Sequence, residues 1–316
     1  MNRRILGFLL PPALIAAGCG GAGDADTVVV YTSVTQETVD AVVAGFEQAN
    51  PGVSVDVFRA PTGELTARIA AEQREGGVRA DVLWLTDPLS MQAYDAEGAL
   101  RSWDPDGADA IDPAFRSDTF WGTRILNLVI VANPGLDPAP ASWSDLAAVP
   151  GGVAIPDPGF AGSAFASLAF FALTDGYGMD FFRDLRTAGA VQVGTPGDVV
   201  TGVAEDQYAA GITLDFSARA AAEKGSPIEV IWPEPGAIAL YSPIAVWDES
   251  DSAAAEDFVQ HVLTEEAQAA IAATGWQPIL ASVPWEESGP QVTLDWTIAF
   301  DRQQELLDEY RAIFGG

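Results

Sequence analysis

Between Tyr208 and Pro243 the chain reads strand, helix, strand and then a Gly/Pro-punctuated return, and this order constrains the fold more than any other feature. Ala209–Leu214 is a short apolar run ending on an acid, Asp215. Phe216–Lys224 is alanine-rich and free of proline, a helix former. Gly225-Ser226-Pro227 stops it, and Ile228–Trp232 is a second β-type run. A strand feeding a helix feeding a strand is the unit of open α/β sheets, where ligands sit beyond the carboxyl ends of the strands. Asp215 lies at such an end and is a candidate ligand contact; a carboxylate there can equally cap the helix that follows.

The same unit recurs in the N-terminal half. Thr27–Tyr31 is a β-branched and aromatic run, followed by Thr32-Ser33-Val34-Thr35 and a helix with Val39, Val42, Val43 and Phe46 on one face. Thr32, Ser33 and Thr35 stand at a strand's carboxyl end beside the free N–H groups of a helix start, which suits a polar or oxyanionic ligand. Thr35 is also a ready N-cap. Gly52–Phe58 reads as a second strand and Thr62–Glu75 as a second helix, with Leu65, Ile69 and Ala70 inward. Ala80–Thr86 reads as a third strand whose tip offers Thr86 and Asp87 as ligand contacts; Asp87 before Pro88 is equally an ordinary turn residue.

Arg101–Phe120 is rich in Asp, Pro and Gly, a surface loop with Trp103, Phe115 and the nearby Trp121 as aromatic anchors. Arg124–Val131 reads as a continuous apolar strand, ended by Asn133-Pro134-Gly135. After the strand Gly151–Pro156, a small-residue turn opens the apolar helix Phe165–Leu173. Gly162, Ser163 and Ala164 leave backbone N–H groups open at that helix start, where the macrodipole favours an anion. Ser163 could instead merely cap the helix. No Gly-Lys-Ser/Thr follows, so this is not a Walker loop. Asp180–Ala188, Val191–Gly194 and Asp198–Ala204 continue the alternation. Glu234, in Trp232-Pro233-Glu234-Pro235-Gly236, is a further candidate contact before the return strand Ala237–Ala245. Ser252–Ala272 is expected as one long helix, and Leu294–Phe314 as a terminal helix packed on the first lobe through Trp296, Phe300, Leu307, Tyr310 and Phe314.

Arg3 and Arg4 precede the apolar segment Ile5–Ala17, which ends in small residues before Cys19. The order is that of a secretory signal, too short and too proline-broken at Pro11-Pro12 for a membrane span. Leu14-Ile15-Ala16-Ala17-Gly18-Cys19 resembles a bacterial lipobox, with Ala16 where leucine is favoured. Cys19 is the sole cysteine, with no disulfide partner. Either Cys19 is acylated and becomes the mature N-terminus, or the signal is cut near Gly18 and the thiol is incidental. Gly20–Asp26 reads as a tether. The 298 residues from Cys19 onward bury roughly three quarters of the unfolded surface without staples. A net charge of −30 makes nucleic acid a poor partner. It fits a cationic ligand, solubility or a high-salt habitat alike.

The progression Gly211-Ile212, Asp215, Lys224-Gly225, Pro227-Ile228 and Trp232-Pro233-Glu234 resembles the type II periplasmic class of ABC-importer solute-binding proteins. Closest is the cluster of ferric-ion, thiamine, polyamine and phosphonate or sugar-phosphate binders. Ala80-Asp81-Val82, Pro140-Ala141-Ser142-Trp143-Ser144-Asp145-Leu146 and Glu266-Ala267-Gln268 with Gly275-Trp276-Gln277-Pro278-Ile279 carry the resemblance from Thr27 to Phe314. It implies a two-lobed α/β fold, each lobe a mixed sheet flanked by helices. The expected division is signal 1–18, tether 19–26, first lobe 27–129, second lobe 130–242 and a return to the first lobe over 243–316, with crossings near Asn127–Ala132 and Leu240–Ala245. It also implies an exported protein, lipid-anchored at Cys19 to the outer face of the cytoplasmic membrane or periplasmic, monomeric, without cofactor, delivering its solute to a permease.

No nucleophile elbow, His-Glu-x-x-His helix, Cys/His cluster or dinucleotide fingerprint is present, and His261 is the sole histidine. An enzyme is therefore not expected, although a two-carboxylate hydrolase stays open among 45 acids. Ferric-ion members hold their metal with two consecutive tyrosines, near the place where this chain has Asp215-Phe216, and no two tyrosines are adjacent here. A small organic solute is ranked above iron: an aminophosphonate-like zwitterion, a phosphate ester or a polyamine, held by helix starts and hydroxyls at one end and Asp215 or Glu234 at the other.

Overall fold

The β-branched run that begins the described chain forms β1 (Asp26–Thr32), which pairs in parallel with β2 (Val53–Arg59) and with β3 (Val82–Trp84). The computed structural model describes residues 26–286 and 289–315; the signal segment and Cys19 lie outside the described residues. Helix α1 (Gln36–Ala49) buries Val39, Val42 and Phe46, and α2 (Thr62–Glu75) buries Leu65 and Ile69. After β3 comes α3 (Pro88–Ala96), then the loop of residues 101–120, which holds two short 3-10 turns and packs Trp103 edge-on against Trp121.

Strand β4 (Trp121–Ala132) is buried along its whole length and is followed by β5 (Val153–Pro156) and α4 (Gly162–Leu173). The second lobe continues with α5 (Asp180–Thr187), β6 (Val191–Val193), α6 (Pro196–Ala204), β7 (Ala210–Leu214), α7 (Asp215–Glu223) and β8 (Glu229–Ile231). Its core is aromatic: Phe171 stacks on Phe181 at 3.8 Å, and Trp143 meets Phe171 edge-on at 5.5 Å. Strand β9 (Ala237–Val246) returns the chain to the first lobe, which α8 (Ala255–Val262) and α9 (Glu265–Ala273) complete. Short strands β10 (Gln277–Pro278) and β11 (Gln291–Val292) then add to β4 and β9, before α10 (Trp296–Asp301) and α11 (Gln303–Phe314).

One ladder runs β2-β1-β3-β9-β4-β7-β5-β6 through the molecule. It joins two lobes because β4 serves both: Trp121–Leu128 pairs with β9, and Leu128–Ala132 pairs with β7. The fold is thus a two-lobed α/β architecture with two hinge crossings, β4 and β9. The carboxyl ends of β1 and β3 point toward the second lobe, and that of β7 toward the first.

Two expectations need correction. The helix expected over Ser252–Ala272 is two, because Thr264 takes an extended backbone and caps α9, accepting from the Ala267 N–H at 3.3 Å. The terminal helix breaks at Arg302, and its two halves face different lobes. Helix α10 lies on α3 of the first lobe, but α11 lies on α4 and α5 of the second. There Tyr310 meets Phe182 edge-on at 5.3 Å and Arg186 lies 5.6 Å over the Phe314 ring. The C-terminal segment therefore straps the lobes together.

Candidate functional site

Hydroxyls at the strand tips of the first lobe largely satisfy one another. Thr32 is fully buried; its Oγ1 donates to the Trp84 carbonyl at 2.7 Å and accepts the Val34 N–H at 3.0 Å, tying the tip of β1 to that of β3. Ser33 and Thr86 are linked through their hydroxyls at 3.1 Å, and Thr62 reaches Thr86 at 3.3 Å. Thr35 is the N-cap residue of α1, but no backbone N–H of the helix bonds its side chain. Its hydroxyl meets that of Thr38 at 2.9 Å and accepts from the Trp276 indole at 3.3 Å.

Asp87 caps α3, accepting from the N–H and the hydroxyl of Ser90 at 2.9 and 3.2 Å, with Pro88 preset at the first helical position. It is only 2% exposed, and burial pushes its carboxyl up from the ordinary value against those bonds. Directly across from it stands the start of α4. A Cβ on Gly162 would come within 2.6 Å of Asp87 Oδ2, so only glycine lets the lobes touch here. Ser163 and Ala164 follow inside α4 and are buried; the N-cap position belongs to Ala161, not Ser163.

Asp215 is the first residue of α7 and is also 2% exposed. Burial pushes its carboxyl up, while Arg219, one turn later, pulls it down through an ion pair at 3.0 Å. Arg219 also donates to the Gly275 carbonyl at 2.8 Å, a bond from the second lobe to the first. Phe216 stacks on Trp276 at 4.0 Å and 16°, closing the same rim. Glu234 is exposed; its backbone pairs with Ala141 and Trp143, not with any other predicted contact.

The most unusual group is one that the sequence reading passed over inside an apolar strand. Arg124, on β4 at the hinge, is fully buried, and its Nε and Nη1 have no hydrogen-bond partner. Its guanidinium lies 4.0 Å over the Trp276 ring. Among the described residues no carboxylate is paired with it. Burial, and then the charge of Arg59, push its pKa down to about 9. Arg59 itself donates to the Val34 carbonyl at 2.6 Å, beside Thr35. A buried cation without a counter-charge costs several kcal/mol, and a second cation nearby raises that cost. Trp276 thus gathers Arg124, Thr35 and Phe216 at the junction of the lobes, an arrangement that an anion would relieve.

Two lobes hinged on paired strands, with strand tips and helix starts facing across the junction, define the architecture of the periplasmic binding proteins. The family model of the bacterial extracellular solute-binding proteins matches residues 27–277, and the chain belongs to that family. Solved structures agree in fold. The periplasmic binding protein AfuA from Actinobacillus pleuropneumoniae, with exogenous fructose-6-phosphate bound, is 21% identical over 91% of this chain and 98% of its own, with a TM-score of 0.78. The substrate-binding protein of an ABC transporter from Agrobacterium tumefaciens is 17% identical over 93% and 96%, at TM-score 0.82. Iron-bound HitA from Pseudomonas aeruginosa is 18% identical over 91% and 99%, at TM-score 0.76. No curated protein sequence matches the chain.

Proposed function

We propose that this chain captures a small organic anion between its lobes and hands it to an ABC permease, with Arg124 as the principal ligand-binding residue. The observation that carries this reading is the fully buried Arg124 guanidinium, unpaired at Nε and Nη1 and pressed by the charge of Arg59. An acid group supplies the missing acceptors and counter-charge together, a charge-assisted and bidentate contact. Among the solutes considered, a phosphate ester or an aminophosphonate meets this demand. A polyamine does not, and a ferric ion would face two cations across a short, poorly screened distance. Thr35 and Trp276 are the adjoining contacts. A thermal-shift panel of sugar phosphates, 2-aminoethylphosphonate, putrescine, thiamine and ferric citrate tests it, since a bound solute raises the melting temperature. Stabilisation by the phosphorus-bearing solutes that disappears in Arg124→Gln is expected; stabilisation by putrescine or ferric citrate alone overturns the reading.

The mature chain is further read as a monomer tethered outside the cytoplasmic membrane through an acylated Cys19. The Arg3-Arg4, apolar, small-residue order before Cys19 supports this. Mass spectrometry of the protein purified from cells checks it: an N-terminus other than lipidated Cys19 removes the anchor.

A further inference from the structure

We propose that the site prefers a doubly charged acid group, a phosphomonoester or phosphonate dianion, to a singly charged one, and that Arg59 makes the selection; this rests on the capture of the acid group by Arg124. Arg59 ends β2 opposite Thr32 in the parallel register, so it stands at a strand tip close to the start of α1. Its Nε donates to the Val34 carbonyl at 2.6 Å, one residue before Thr35. The Thr35 hydroxyl accepts from the Trp276 indole at 3.3 Å, and the Arg124 guanidinium lies 4.0 Å over that ring. The two arginines thus flank a single contact, that of Thr35 with Trp276, and the charge of Arg59 bears on Arg124.

The chain carries 45 acids against 15 bases, so carboxylates are plentiful partners for an arginine. Among the described residues, nevertheless, neither Arg59 nor Arg124 belongs to an ion pair. One unpaired arginine at a surface is ordinary. Two whose charges press on each other, one of them buried, are costly unless an anion joins them. A monoanion on Arg124 would cancel one charge and leave the other, whereas a dianion cancels both. Arg124 is fully buried and Arg59 is exposed, so the second charge is met from the rim, where solvent screens it and its worth is smaller. A phosphomonoester sheds its second proton at about pH 6, and a phosphonate near neutrality. A sulfate ester or sulfonate of the same tetrahedral shape stays singly charged.

Calorimetry with two matched pairs tests the inference: glucose 6-phosphate against glucose 6-sulfate, and 2-aminoethylphosphonate against taurine, its sulfonate counterpart. At about pH 8 the wild-type chain is expected to bind the phosphorus-bearing member of at least one pair about tenfold more tightly. At about pH 5, where that member is mostly a monoanion, the gap should largely close. Arg59→Gln should shrink the gap at about pH 8 to about twofold while the sulfur-bearing member keeps its affinity, and Arg59→Lys, which keeps the charge, should retain most of the preference. If Arg59 only anchors the Val34 carbonyl, Arg59→Gln weakens both members alike and the preference survives. Equal affinity within both pairs, or a preference that survives Arg59→Gln, overturns the selection by Arg59 and leaves anion capture standing. Failure of all four probes to bind overturns capture of small acids at Arg124 and this inference with it.

Discussion

Asp87 and Asp215 invite comparison. Each stands where a strand runs into a helix, one on each lobe, each is 2% exposed, and burial raises the carboxyl of both. They differ in what compensates them. Asp215 has Arg219 at 3.0 Å, and the pair continues to the Gly275 carbonyl, so its charge is spent on a tie between the lobes. Asp87 has two neighbouring residues of its own helix and, among the described residues, no cation. The same residue type in the same topological position is thus paired in one lobe and, among the described residues, left without a cation in the other. Arg124 falls on the side of Asp87: buried, charged and, among the described residues, without a counter-charge.

The sharpest break in this comparison is Arg124→Gln, which should weaken binding of a phosphate-bearing solute by about a hundredfold or more. Because it also removes an unpaired buried cation, the empty variant should be more stable in urea by about 1–3 kcal/mol. Asp215→Asn should do the reverse. It strands the Arg219 guanidinium, 15% exposed, at a cost of about 3 kcal/mol, while affinity, measured by calorimetry, stays within about threefold. Gly162→Ala should hinder closure, since its Cβ would lie 2.6 Å from Asp87 Oδ2. About tenfold weaker binding, with a smaller ligand-induced fall in radius of gyration by X-ray scattering, is the expected result.

The smallest expected effect follows from the pH dependence at Asp87. Its carboxyl is raised in the native state, so between the unfolded value of 3.8 and the native one the folded chain binds more protons than the unfolded chain. Stability from this group is therefore complete below about 3.8 and is lost as pH rises through the native value. Asp87→Asn should remove that slope and make the empty protein about 1 kcal/mol more stable at neutral pH, with no gain in acid. Melting curves of both proteins across pH decide it; a neutral-pH loss of stability would mean that the charge is compensated after all.

Strand and helix alternation makes the two lobes legible in the sequence, because apolar runs ending in Gly/Pro or hydroxyl clusters have few other readings. Thr35, Asp87 and Asp215 were visible as polar groups at strand tips. Their availability was not, since it depends on partners. Arg219 lies four residues after Asp215, a spacing that permits an ion pair without requiring it. Arg124 escaped notice because one charge in an eight-residue apolar run barely disturbs the pattern, although a strand buried on both faces leaves an arginine nowhere to go without a partner. Trp276 belongs to a stretch recognised only as a family signature; its stack with Phe216 joins residues 60 positions apart. The breaks at Thr264 and Arg302 carry no Gly or Pro, so the helices they end looked continuous.

The most direct test is a crystal structure of the protein grown with the solute that stabilises it most. The account predicts the acid group on the Nε and Nη1 edge of Arg124 beside Thr35 and the Trp276 ring. A solute bound elsewhere would contradict it, whether in the cavity of about 800 Å³ lined by Phe120, Tyr241 and Trp296 or against Asp215 with the Arg219 pair broken.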